Sequence, residues 1–153
     1  MPDIRKDSRL SATERQAVQG VVDRALSASH DQNRTGIAAA IVCQDWILNA
    51  CNDPTLHGEM VVISAITQRL VREELSDCTL VSSLQPCEMC LSAMRFAGIK
   101  RVIFCAQQEN VAAKYFVFPQ LSIVDFAKAG EPFEYVGGVM EDAVIHLYET
   151  GAE

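Results

Sequence analysis

Apolar positions change period along the chain, and each period predicts an element. Ser11-Ala12-Thr13-Glu14 reads as a capping box, in which the Ser and Glu side chains satisfy orphan amides at a helix start. The helix it opens runs to about Ser29, with Ala17, Val21 and Ala25 among its inward residues. Thr35-Gly36 breaks that spacing, and Ile37 to Val42 is a continuous apolar run suited to a buried strand. Gln44-Asp45 makes a turn into a second strand, Trp46 to Ala50. Asn52-Asp53-Pro54-Thr55 is loop and helix-start chemistry. From His57 to Arg72 the residues Met60, Val61, Ile63, Ala65, Ile66 and Leu70 return to helical spacing.

Thr79 to Ser82 predicts a short strand, and Gln85-Pro86 opens a helix that runs through Met94 and Phe96 to a C-terminal glycine, Gly98. Arg101 to Ala106 is a strongly apolar strand. Residues 107–129 predict one or two short helices, broken at Pro119 and Gly130. Phe133 to Val139 reads as a last strand and Glu141 to Glu149 as a closing helix. A strand hairpin followed by alternating helices and strands implies an α/β fold, its mixed sheet covered on both faces. With no repeat, low-complexity tract or linker, one domain is expected over residues 1–153, its core at about 10–150.

Charge narrows the partners. Twenty acidic residues against thirteen basic ones leave −7, and no basic cluster exceeds Lys100-Arg101. A polyanion meets an unfavourable long-range field, which counts against a nucleic-acid substrate. No apolar run approaches the ~20 residues of a membrane span. Met1 to Leu10 lacks the apolar core of a signal peptide, so the expected compartment is the cytoplasm. In that setting Cys43, Cys51, Cys78, Cys87, Cys90 and Cys105 read as free thiols or metal ligands.

Two short motifs carry the chemistry: His57-Gly58-Glu59 opens one helix, and Pro86-Cys87-Glu88-Met89-Cys90 opens the next. Two thiolates and an imidazole make a zinc site with three protein ligands, one Zn2+ per chain, leaving the fourth tetrahedral position for water or hydroxide. Helix N-termini favour thiolate, and Cys-x-x-Cys on a first helical turn puts both sulfurs on one side. Glu59, two residues beyond His57, is the natural proton carrier for hydrolytic deamination. A structural zinc site would need a fourth protein ligand, and neither His30 nor His146 lies in a ligand motif. A redox Cys-x-x-Cys leaves His57-Gly58-Glu59 unexplained. Cys43, Cys51, Cys78 and Cys105, in or beside apolar strands, read as core, and Trp46 and Met94 as packing residues. Glu88 and Glu109 read as solvated charges.

His57-x-Glu59 followed by Pro86-Cys87-x-x-Cys90 resembles the zinc base deaminases of the cytidine-deaminase superfamily. The resemblance runs from about Ile37 through the last helix. It implies a three-layer α/β/α fold with a five-stranded sheet and the zinc site at two helix starts. A helix between the fourth and fifth strands is similar to the branch of fungal cytosine, guanine and transfer-RNA adenosine deaminases, whose last two strands run parallel. The string Thr55-Leu56-His57-Gly58-Glu59 looks most like the cytosine deaminases.

What the resemblance implies is a zinc-dependent hydrolase acting on a small amino-heterocycle, a cytosine- or guanine-like free base, and assembled as a homodimer. The alternatives are a transfer-RNA adenosine deaminase and a catalytically silent zinc-binding module. By the same resemblance Asn52 hydrogen-bonds the base, against its reading as a plain turn residue. Gly58 brings its amide close to the substrate, and the Gln85 carbonyl accepts a hydrogen bond from the amino group being lost. Gln108 and Asn110 stand at the carboxyl end of a strand, where open α/β sheets bind ligands. Tyr115, Phe116 and Phe118 form either an aromatic lid over a planar ring or the packing of a short helix. Guanine deaminases carry a second carboxylate after the fourth strand. Here Val111-Ala112-Ala113-Lys114 offers Ala, with Glu109 just before it.

Overall fold

The computed structural model describes residues 10–31, 36–51 and 57–150. Asn52 lies outside these residues, as do Thr35, Thr55 and Leu56. The chain runs α1 (Ala12–Asp31), β1 (Ala38–Cys43), β2 (Trp46–Cys51), α2 (Gly58–Thr67), α3 (Arg72–Leu75), β3 (Cys78–Leu84) and α4 (Glu88–Ala97). It continues through β4 (Arg101–Ala106), two single 3-10 turns (Gln108–Asn110 and Ala113–Tyr115), α5 (Ile123–Ala129), β5 (Glu134–Val136) and α6 (Glu141–Tyr148).

Five strands form one sheet in the order β2-β1-β3-β4-β5. The hairpin pairs β1 antiparallel with β2, β1 is also antiparallel to β3, and β3, β4 and β5 run parallel. Every residue of β1 and β3 is buried, because helices cover both faces; this accounts for the continuous apolar run of β1, while β3 also buries Thr79, Ser82 and Ser83. Alternation then sorts side chains by face. Ala38, Ala40 and Val42 join Val18, Val21, Ala25, Val144 and Tyr148 under α1 and α6. Ala39 and Ile41 join Val62, Ile66, Met94 and Phe104 under α2 and α4. The expected three-layer arrangement is thus present.

Three boundaries differ from the apolar pattern. The helix expected over His57 to Arg72 divides, because Val71 is extended and its amide donates to Glu74 Oε2 at 2.9 Å, starting α3 afresh. The last strand spans only Glu134–Val136, since Gly138 (φ 81°) and Met140 (φ 53°) turn the backbone left-handed and out of the sheet. Trp46 is 37% exposed on the edge strand rather than packed. The glycine stop of α4 is as expected: Gly98 (φ 100°) places its amide on Met94 O and Arg95 O, while Ile99 N also reaches Met94 O.

The capping box forms and extends into the core. Glu14 Oε1 accepts the Ser11 amide at 2.9 Å, and the Glu14 amide donates to Ser11 Oγ at 3.1 Å. Its other oxygen accepts Arg101 Nε at 2.8 Å and Thr79 Oγ1 at 3.1 Å, joining α1 to β3 and β4. Burial pushes the Glu14 carboxyl up, but the Arg101 hydrogen bond, the Ser11 amide, the Arg101 charge and Thr79 together hold it below the usual glutamate value. A depressed folded-state pKa contributes stability above the unfolded-state pKa and loses it as pH falls through the folded value. Glu14→Gln should therefore remove part of the acid destabilisation seen in wild-type melting curves below about pH 4.5. At pH 7 the same variant should melt lower, by about 1 kcal/mol of stability, because Arg101 loses its charged partner on α1 and keeps only the exposed Glu134. Equal pH slopes in the two proteins would contradict this.

Candidate functional site

Two helix starts face each other at one end of the sheet. His57 is the N-cap of α2 in extended conformation, placing Gly58 and Glu59 in its first turn. Cys87 is the N-cap of α4, also extended, and Cys90 follows one turn later. His57 Nδ1 lies 3.5 Å from Cys87 Sγ and 3.5 Å from Cys90 Sγ, and the two sulfurs are 3.6 Å apart. A tetrahedral zinc with bonds of about 2.3 Å to sulfur and about 2.0 Å to nitrogen needs separations of about 3.8 and about 3.5 Å. The donor set and its spacing therefore fit zinc. Among the described residues this is the one cluster of three such donors. Its soft thiolates exclude a magnesium or calcium site.

Beside it, Glu59 is 3% exposed and its Oε1 is buried with no hydrogen-bond partner. Burial, the largest cause, raises its carboxyl well above the usual glutamate value. Cys87 is drawn down to about 5, first by its hydrogen bond with Cys90, against burial, and then by backbone amides and the charge of His57. The same hydrogen bond and burial push Cys90 up.

His57, Glu59 and Cys87 open into a cavity of about 580 Å3, within the ~300–1,000 Å3 of small-molecule sites. Gln85, Glu88, Tyr115 and Phe118 line it as well. A second cavity of about 430 Å3 adjoins on the other side of Gln85 and holds Gln108, Glu109 and Phe116. The structure thus brings His57, Glu59, Cys87, Cys90 and Gln85 together, with Gly58 buried between His57 and Glu59. Gln108 stands behind Gln85, while Asn110 is exposed and donates to Glu141 Oε1 at 3.1 Å. Phe116 is buried against Cys87 and Cys90.

Glu109, the carboxylate that follows β4, stands in the second cavity and is exposed. The second carboxylate in the main cavity is Glu88, whose Oε1 accepts the Phe118 amide at 2.9 Å. Glu88 is half-buried and this bond is exposed to solvent, so the carboxylate meets water as expected and also holds the 116–119 segment at the start of α4. Ile37, Leu84 and Ser92 also line the cavity, and no periodicity in the chain marks them.

Comparison with known proteins agrees with this geometry. The family described as "Cytidine and deoxycytidylate deaminase zinc-binding region" matches residues 11–106. A probable cytosine deaminase of Schizosaccharomyces pombe is 36% identical over 99 residues, which cover 61% of this chain and 60% of that protein. A tRNA-specific adenosine deaminase of Aquifex aeolicus is 29% identical over 102 residues, covering 62% of this chain and 68% of that one. Among solved structures, a guanine deaminase from Nitrosomonas europaea superposes with TM-score 0.65 at 20% identity, covering 91% of this chain and 84% of that one. That likeness is one of fold.

Proposed function

The chain belongs to the cytidine and deoxycytidylate deaminase zinc-binding family, and from that premise we propose that it hydrolyses the exocyclic C–N bond of a small amino-heterocycle. The substrate class is a free nucleobase or close relative, cytosine- or guanine-like. The product carries a carbonyl where the amino group stood, and ammonia leaves. The observation that carries the reading is the buried, unpartnered Oε1 of Glu59 beside three donor atoms at zinc spacing.

His57, Cys87 and Cys90 would hold the zinc, which when bound lowers the pKa of water to roughly 7. Glu59 Oε1 accepts a proton from the attacking water and passes it to a ring nitrogen. It then takes the remaining proton from the hydroxyl now on the ring carbon and delivers it to the departing amino group as the C–N bond breaks, so that water supplies the oxygen and both hydrogens of the exchange. Gly58 presents its amide without a side chain in the way, and the Gln85 carbonyl accepts a hydrogen bond from the departing amino group. Asn52 completes the base contacts, and a homodimer is the assembly implied.

Ammonia release by the zinc-loaded chain against cytosine, guanine, aminotriazines, cytidine, adenosine and transfer RNA tests the proposal. A free base or triazine is expected to be the strongest substrate. The Aquifex relative favours adenosine in transfer RNA as the second reading, but a net charge of −7 opposes it. Silence on every heterocycle, with zinc bound, would overturn the assignment in favour of a non-catalytic zinc module.

A further inference from the structure

One wall of the main cavity comes from an irregular segment after the second 3-10 turn, where Val117 is 80% and Phe118 58% exposed. A non-helical wall with so little buried surface keeps its shape through the bonds that fix its backbone. Two of these bonds lead to the same place. The Phe118 amide donates to Glu88 Oε1 at 2.9 Å, and Gln108 Nε2 donates to the Pro119 carbonyl at 3.2 Å. Gln108 is itself gripped by Gln85, whose Oε1 accepts the Gln108 amide at 3.0 Å and whose Nε2 reaches Gln108 Oε1 at 3.4 Å.

Gln85 and Glu88 flank Pro86-Cys87 in sequence. Both ties therefore end on the turn that carries a zinc ligand, and Phe116 of the same segment packs on Cys87 and Cys90. We propose that Glu88 and Gln108 are positioning residues that clamp the 116–119 wall to the Cys87 turn and so set the affinity of the pocket for its ring. This rests on the deaminase reading. The wall meets ground state and transition state alike, so loosening it weakens binding without slowing chemistry. Glu88 serves as an acceptor, a role that Gln can keep and Ala cannot.

The test compares wild type, Glu88→Ala and Glu88→Gln as zinc-loaded full-length chains. Hydrogen–deuterium exchange of peptides covering 113–121 is read beside KM and kcat for whichever of cytosine, guanine and adenosine the wild type deaminates. For Glu88→Ala, exchange about tenfold faster is expected, with KM raised about tenfold and kcat within about twofold, the scale of one lost hydrogen bond. Glu88→Gln should return both most of the way. Unchanged exchange in Glu88→Ala would overturn the clamp, as would a Gln variant no better than Ala or a fall in kcat at constant KM. A wild type silent on these three and on the aminotriazines, cytidine and transfer RNA as well would fail the underlying reading, while the exchange comparison still decides the clamp.

Discussion

Glu59→Gln should leave a protein that binds one zinc per chain and releases almost no ammonia. The substitution is close to isosteric, and Glu59 is not among the three converging donors, so the metal has no reason to leave. The lost capacity is proton transfer: an amide neither accepts the proton of the attacking water nor delivers one to the leaving amine. General acid–base catalysis contributes roughly 10²–10⁴-fold in rate, and one carboxylate serving two transfers belongs at the upper end. Its environment agrees with the role. At 3% exposure, with one oxygen unpartnered, Glu59 stands in the cavity wall at a cost that packing alone would not require. Zinc content by elemental analysis beside kcat decides the matter. Turnover within tenfold of wild type would sink the mechanism, and loss of zinc would make Glu59 a structural support of the site.

Cys90→Ala separates metal from mechanism in the other direction. Cys90 is fully buried and supplies one of three donors, so its loss leaves two ligands for an ion that prefers at least three from the protein. Zinc at a thousandfold over its Kd stabilises wild type by about 4 kcal/mol through linkage alone. For a chain of this size that is a rise in Tm of about 10 °C. The variant should show no zinc-dependent shift and no turnover, and excess chelator should bring wild type to the same melting temperature as its own metal-free form. A variant that kept the shift would mean that the ion is held elsewhere. Thiol spacing of 3.6 Å in the folded chain makes that second outcome the more informative one, since the site is already assembled for a metal.

Local chemistry was largely legible in the sequence. The capping box at Ser11, the glycine stop at Gly98 and the two motifs at helix starts depend on residues within one turn of each other, where spacing and geometry are the same fact. β1 was legible because a short apolar run bounded by turn residues, too short for a helix, suits a strand in a sheet covered on both faces. Short-range breaks were harder to read. Leu70 continued the helical spacing past the end of α2, and only the Glu74 side chain closing on the Val71 amide shows why a new helix begins there.

By itself the sequence determined the donor types and the order of elements, since these follow from side-chain chemistry and from periods of two and 3.6 residues. Only the tertiary structure decided what meets across the chain. His57 reaches Cys87 over thirty residues, Glu14 reaches Arg101 over 87, and Glu88 holds the Phe118 amide thirty residues away. The Ala residues after β4 leave Glu88, not Glu109, as the second carboxylate in the cavity of Glu59. These relations depend on how α2, α4 and the 116–119 segment pack at one end of the sheet, and packing at long range leaves no period in the chain.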